Sequence, residues 1–318
     1  MAFRSVVVMK ILVTGSTGLV GKALVAALAK DGHSVFRLVR PGTNANDDAG
    51  GFNVAWNPAT GELGGAAVGA DAVVNLAGAS IADGRWTEKR KAELRSSRVN
   101  VTRSLIEALG KMNAKPAVLI SASAIGYYGN RGDEILSEES AAGEGFLAGI
   151  AKEWEAEALK AEVWRTRVVL ARFGIILGKE GGALPKMITP FKLGLGGRLG
   201  NGKQWMSWIA LEDVIGILKL CLERTPIQGA VNFAPISGAL NVVAPEPLRN
   251  GEFTKTLASA LHRPAIFPAP RFALRLALGQ EMADALLLAS QRVVPKKLMA
   301  LNYAFRFPKL GTALERSL

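Results

Sequence analysis

The chain has 318 residues, 49% hydrophobic and 21% charged, which excludes a disordered polypeptide and provides for a large core in one domain or two interlocked ones. A single cysteine, Cys221, excludes an intrachain disulfide and a thiolate metal cluster, and only two histidines, His33 and His262, argue against a zinc site. The formal charge of +12 comes from 39 basic and 27 acidic residues, and its densest stretch, Arg85 to Arg103, lacks the aromatic interleaving of a nucleic-acid site.

No metal is therefore expected, nor nucleic-acid binding; the basic stretch reads as the solvated face of a helix, part of it turned toward an anionic ligand. The simplest compartment is a reducing one, cytoplasmic or an organelle equivalent. No apolar run approaches ~20 residues, so no membrane span is expected. Met1 to Val8 is too short for a secretory signal, and Met9 is an alternative start.

In chain order, Ile11 to Thr14 reads as a buried strand. Gly15, Gly18 and Gly21 follow at Gly-x-x-Gly-x-x-Gly spacing, and Leu19, Val20, Ala23, Leu24, Ala27 and Leu28 repeat at helical period up to Asp31-Gly32. Strands are then expected over Ser34–Val39, Asn53–Trp56 and Ala72–Leu76, a long helix over Thr87–Met112, and a strand over Ala117–Ala122. A helix over Gly145–Ala161 and a strand over Val163–Phe173 complete the first half. This alternation predicts an α/β fold, a Rossmann-like doubly wound parallel sheet, over residues 1–174.

After Gly174 glycine and proline become frequent, and helical segments between Asn250 and Leu318 are broken by Pro264, Pro268, Pro270, Pro295 and Pro308. Residues 175–318 are expected to form a smaller substrate-binding domain, interleaved with the first and placed over the C-terminal edge of the sheet. A helix Asp213–Glu223 is expected to start on an Asp213 N-cap. The segments Gly229–Pro235 and Gly238–Pro245 echo each other, as a strand pair or a small duplication.

A strand feeding a helix through a glycine-rich turn is a cradle for a dinucleotide pyrophosphate, because bare backbone approaches closely and the helix N-terminus offers unpaired N–H groups. In NAD-binding units an acidic residue about 20 positions further on accepts the ribose hydroxyls. Here that neighbourhood reads Phe36-Arg37-Leu38-Val39-Arg40-Pro41, without a carboxylate. Arg40 sits at the expected strand end with Arg37 close by, and a guanidinium there suits a 2′-phosphate. NADP(H) is preferred over NAD(H).

Thr14 to Gly21, Asn75-Leu-Ala-Gly78 and Ser121-Ala-Ser-Ala-Ile-Gly-Tyr-Tyr-Gly129 resemble the extended short-chain dehydrogenase/reductase superfamily. Trp86 before the basic helix, Phe146-Leu147 leading to Trp154-Glu155, and Arg172 to Gly178 narrow the resemblance to its atypical branch of epimerase family proteins, nucleoside-diphosphate-sugar epimerase-like. Pro190 to Gly197, Gln204 with Trp208-Ile209, Ala244 to Pro247 and Pro295 to Leu298 are similar to the same branch, so the likeness runs from Met9 to near the end. The resemblance implies NADP(H) gripped by Gly15, Ser16, Thr17, Gly18, Leu19, Val20 and Gly21, with Arg40 on the 2′-phosphate. It implies Leu76, Ala77 and Gly78 along the ribose–nicotinamide path, and Phe173, Gly174 and Ile175 bounding the nicotinamide from the far side. Because the superfamily commonly dimerises through helices corresponding to Thr87–Met112 and Gly145–Ala161, it also implies a homodimer as a candidate assembly.

Typical members use a serine or threonine and a Tyr-x-x-x-Lys pair, the tyrosine moving the proton while the lysine lowers its pKa and holds the ribose. This chain departs from that pattern, since Ala148 stands four residues before Lys152. Lys152 keeps a candidate role on the ribose hydroxyls. Ser123 fits the superfamily's serine, with Ser121 as the near alternative, and Tyr127 or Tyr128 is the candidate proton-transfer group. Arg198, Gln204 and Trp208 are the candidate substrate contacts, although Trp205 and Trp208 are equally placed to pack. Glu134, Glu138 and Glu139 are assigned only solvation. Two functions stay open: an NADP(H)-dependent oxidoreductase or epimerase-like enzyme on a small molecule, a nucleotide sugar among the candidates, or a non-catalytic NADP(H)-binding sensor.

Overall fold

The computed structural model describes residues 8–42, 50–223 and 235–318. Residues 229–234 of the sequence echo lie outside them, as does most of the segment before Met9. In the first half β1 (Lys10–Thr14) is followed by α1 (Leu19–Lys30), β2 (Ser34–Val39), β3 (Phe52–Asn57), the short β4 (Glu62–Leu63) and β5 (Ala72–Asn75). Next come α2 (Glu88–Ser96), α3 (Val99–Gly110), β6 (Val118–Ala124), β7 (Ile135–Leu136), α4 (Phe146–Leu159) and β8 (Arg167–Phe173). The second half carries β9 (Ile175–Gly178), β10 (Gly181–Gly182), α5 (Leu184–Lys192), β11 (Trp205–Met206), β12 (Trp208–Ala210) and α6 (Leu211–Glu223). It ends with β13 (Gly238–Val242), β14 (Leu248–Arg249), α7 (Asn250–Ala260), α8 (Arg271–Leu278), α9 (Gln280–Leu286), β15 (Arg292–Val293), α10 (Lys296–Ala300) and α11 (Leu310–Ser317).

Eight strands of the described residues form one sheet in the order β13-β8-β6-β5-β1-β2-β3-β4. All neighbours in it are parallel except β3 and β4. The chain runs outward from β1 to β4, then crosses back to β5 on the other side of β1. That reversal opens a crevice at the C-terminal ends of β1 and β5, the place where ligands of doubly wound sheets bind.

A parallel strand is buried on both faces, and the alternation of side chains decides which layer each residue enters. Ile11 and Val13 of β1 pack with Leu24, Leu28, Ile217 and Leu218 of α1 and α6. Leu12, one residue out of phase, joins Leu105, Leu109 and Ala158 of α3 and α4 on the opposite face. A further cluster, with Leu177, Leu184, Trp208, Phe253, Leu257 and Leu314, forms the core of the second half.

At Gly174 the chain leaves the large sheet for a three-stranded one, β10-β9-β12, and β13 later returns to pair with β8. The second half is thereby interleaved with the first at the sheet edge.

The structure corrects four expectations: the strand predicted over Val163–Phe173 begins only at Arg167, after a 3-10 turn over Lys160–Trp164. The helix predicted over Thr87–Met112 is two helices, broken at Ser97-Arg98, where Arg98 turns inward to donate to the carbonyls of Leu94 (3.1 Å) and Ala79 (2.8 Å). Asp213 lies inside α6 rather than capping it, and its buried carboxylate accepts from the backbone N–H groups of Arg306 (2.7 Å) and Phe307 (3.0 Å). Glu138 does more than meet solvent, since its Oε1 accepts from the Asn241 N–H at 3.1 Å. Much of the basic stretch is paired: Arg90 with Glu93, Lys91 with Glu88 and Glu281, Arg95 with Glu153, Arg103 with Glu157. Among the described residues no helix is long and apolar enough to cross a membrane.

Candidate active site

The glycine turn between β1 and α1 is built by close backbone approach. Gly15 has φ of +64°, and a Cβ there would lie 2.4 Å from the carbonyl oxygen of Leu76. A Cβ on Gly21 would lie 2.2 Å from the carbonyl oxygen of Gly15. Only bare backbone fits either position. Gly18, the N-cap of α1, has no side chain to satisfy the first N–H groups of the helix, so they remain available to an anion. Ser16 is buried, while Thr17 and Gly18 are exposed at the mouth and Leu19 and Val20 are half-buried behind it.

Side-chain hydrogen bonds lock this turn to the end of β5. The Thr14 hydroxyl donates to Asn75 Oδ1 at 2.7 Å and accepts from the N–H groups of Leu76 (3.0 Å) and Ala77 (3.2 Å). Asn75 Nδ2 donates to Thr102 Oγ1 at 2.8 Å, which also accepts from the Trp154 indole at 2.9 Å. Leu76, Ala77 and Gly78 thus leave the sheet beside the cradle. Under Gly78 lies Arg98, whose Cζ would be 3.3 Å from a Cβ on that glycine. Burial, with Arg90 nearby, pulls the Arg98 guanidinium down to about 10, and no carboxylate pairs with it among the described residues. Arg98 was legible only as one cation of a basic stretch; its inward turn comes from the helix break.

Arg40 follows the last residue of β2 and is exposed, whereas Arg37 is buried within the strand. Phe173, Gly174 and Ile175 span the departure from the large sheet, where Gly174 N–H donates to Val242 and Ile175 N–H to Ser207. Lys152 is exposed on α4, and Ala148 is buried one turn before it, so no tyrosine faces it from that position.

The serine–tyrosine region is organised around a buried ion pair absent from the sequence-based candidates. Arg172 of β8 donates from Nε and Nη2 to the two oxygens of Glu155 in α4, both at 2.7 Å. Burial by itself penalises the Arg172 cation, but Glu155 outweighs it and holds the guanidinium firmly protonated. Ser123 Oγ donates to Glu155 Oε1 at 2.6 Å. A carboxylate only accepts, so the serine proton is committed and Ser123 has lone pairs, not a proton, to offer a ligand.

Tyr128 is fully buried, its hydroxyl donating to Asn241 Oδ1 at 2.7 Å and accepting from Arg172 Nη1 at 2.9 Å. Burial raises its pKa, against the pull of Arg172. That packing takes Tyr128 out of the proton-transfer candidates. Tyr127 is half-buried, with the Arg172 guanidinium 3.5 Å from its ring centroid, and its hydroxyl has no hydrogen-bond partner among the described residues.

The expected substrate contacts are not brought together as a set. Trp208 is fully buried in the core of the second half and donates to the Glu246 carbonyl at 3.1 Å, so it packs rather than faces a ligand. Gln204 is buried, its amide nitrogen donating to the carbonyls of Leu199 (3.2 Å) and Leu287 (3.0 Å). Arg198 is exposed.

A family model described as NAD dependent epimerase/dehydratase family matches residues 11–234, and a domain of unknown function, DUF1731, matches residues 269–317. Epimerase family protein ML0860 of Mycobacterium leprae is 41% identical over 305 residues, covering 96% of this chain and 94% of that protein. The crystal structure of human epimerase family protein SDR39U1 (isoform2) with NADPH superposes with a TM-score of 0.83 at 34% identity, over 97% of this chain and 99% of that one. A nucleoside-diphosphate sugar epimerase from Corynebacterium glutamicum superposes with a TM-score of 0.74 at 34% identity, over 98% of this chain and 58% of that one. A family match over more than half of the chain, joined to 41% identity along nearly all of it, means that the protein belongs to the NAD dependent epimerase/dehydratase family.

Proposed function

We propose that the protein is an NADP(H)-dependent oxidoreductase, epimerase-like in fold, acting on a small molecule. The observation that carries this reading is the cradle: Gly15 and Gly21 admit no side chain, the start of α1 is uncapped, and Arg40 stands where an NAD-binding unit would place a carboxylate. Residues 15–21 would hold the pyrophosphate, Arg40 the 2′-phosphate, and Leu76 to Gly78 the ribose side. Arg98, half-buried beside that path with no carboxylate paired to it among the described residues, is suited to an anionic guest. The NADPH in the human relative supports the same preference. When bound, the nicotinamide supplies or accepts a hydride.

With Tyr128 packed away and Ser123 bonded to Glu155, Tyr127 is the group we assign to proton transfer at the substrate oxygen. The Arg172 guanidinium lies 3.5 Å from its ring centroid and holds the ring in place beside the Glu155 carboxylate that takes the Ser123 proton. One observation favours a second reading, an NADP(H)-binding sensor: Ala148 occupies the position from which a tyrosine would face Lys152.

Calorimetric titration of the wild type and Arg40→Ala with NADPH and NADH tests the cofactor assignment. NADPH is expected to bind more tightly than NADH, and the variant to lose about 1.5–3 kcal/mol on NADPH alone, as for a charge-assisted contact. Equal binding of both nucleotides by both proteins would remove Arg40 from the site. Binding of neither would end the oxidoreductase reading. Bound NADPH without turnover across carbonyl and sugar-nucleotide substrates would leave the sensor.

A further inference from the structure

Beyond the nicotinamide crevice, two adjoining grooves of opposite character meet at Asn201 and Arg271. The first, about 630 Å³, lies between the turn after Tyr128 and the loop before β11, and is lined by Lys203, Arg249 and Arg271 with Asp133 as its carboxylate. Asp133 is already spent: it pairs with Arg249 at 2.8 Å and accepts from the Trp205 indole at 2.9 Å. Among the described residues Lys203 and Arg271 have no ion-pair partner, so this end carries a net positive charge that a ligand anion would neutralise.

The second groove, about 820 Å³, runs along α8. That helix buries none of its residues fully; Phe272 and Leu276, one turn apart, are 74% and 77% exposed. Residues four apart on a helix share a face, so the two side chains form one apolar wall. The helix is nevertheless held, because Arg85 from the loop after β5 donates to the carbonyls of Leu276 and Ala277. A held helix presenting uncovered apolar side chains next to unpaired cations is a surface awaiting something that is charged at one end and apolar at the other.

We infer that this double groove binds an amphiphilic anion, a phosphate or similar head group seated among Lys203, Arg249 and Arg271 with an alkyl chain along Phe272 and Leu276. The site is independent of the nicotinamide reading, since neither groove includes a cradle residue. Isothermal titration with octyl phosphate below its micellar concentration, without nucleotide, tests it. Inorganic phosphate probes the head alone and octyl glucoside the tail alone.

Octyl phosphate is expected to bind saturably and at least about tenfold more tightly than either half-probe, because only it places a charge among the cations and an alkyl chain along the apolar wall. Lys203→Glu/Arg271→Glu and Phe272→Ser/Leu276→Ser should each weaken it about tenfold or more. All substituted side chains are exposed, and unchanged thermal melting and circular dichroism would show that the variants remain folded. Equal affinity for inorganic phosphate or for octyl glucoside, indifference to both double variants, or the absence of saturable binding would each overturn the inference. Sedimentation with phosphatidylglycerol vesicles separates the sources: capture of vesicles without binding of the monomeric amphiphile would make this a membrane-docking face and refute the groove.

Discussion

Arg172 touches more of the candidate active site than any other side chain described. It is bidentate on Glu155, donates to Tyr128 and lies under Tyr127, while Glu155 takes the Ser123 proton. Removing one member of a buried pair strands the other charge, so Glu155→Gln and Arg172→Met should each destabilise the fold by about 3–5 kcal/mol. The double variant should cost clearly less than the two losses added together, because neither charge is then left alone. Urea unfolding of the four proteins measures this, and additive losses would show that the pair is not coupled. Both residues stood in the motif strings, but 17 positions of chain separate them and no spacing rule joins them. Their meeting depends on β8 lying beside β6 with α4 packed across both strands.

Between elements, α3 and α4 are joined by Glu157, which accepts from Arg103 at 2.8 Å and from Lys160 at 2.6 Å. Burial works against its charge, but the two cations outweigh it and hold the carboxyl below its ordinary value. A carboxyl held lower in the folded chain than in the unfolded one stabilises the fold above the ordinary glutamate range, and that contribution fades as the pH falls through its folded value. Glu157→Gln should therefore cost stability near neutral pH and little in acid. Both cations are about half exposed, which limits the difference to under about 1 kcal/mol. Urea midpoints at about pH 7 and about pH 4 would reveal it, and equal losses at both would contradict the assignment. The helices themselves were legible from their period. Their ends and the break at Arg98 were not, because the break coincides with a hydrogen bond from Arg98 to Ala79, 19 positions away.

At the scale of the whole molecule, the C-terminal segment closes the fold onto the candidate site. Gln291 Nε2 donates to the carbonyls of Ile125 (3.2 Å) and Gly129 (3.1 Å), bracketing the turn that carries Tyr127 and Tyr128. Asn130 accepts from the Ser290 N–H, and Trp205 N–H donates to the Ser290 hydroxyl, so three distant stretches meet there. Gln291→Ala should raise amide exchange selectively across Gly126–Gly129 while the core strands β1, β5 and β6 keep their protection. Exchange read by mass spectrometry tests this, and unchanged protection of the turn would show that the segment is not its support.

By itself the sequence determined the parallel α/β sheet, the glycine turn after β1 and the change of texture at Gly174. Each of these rests on residues close together in the chain, where strand and helix periods and the demands of bare backbone act locally. Only the tertiary structure decided which polar residues are free to work. Trp208, Gln204 and Tyr128 look like ligand contacts as residue types, yet each is enclosed and satisfied by partners remote in sequence. A buried polar group must find its hydrogen bonds within the fold. Which group finds them, and which is left facing the crevice, is settled when strands and helices from both halves of the chain pack together.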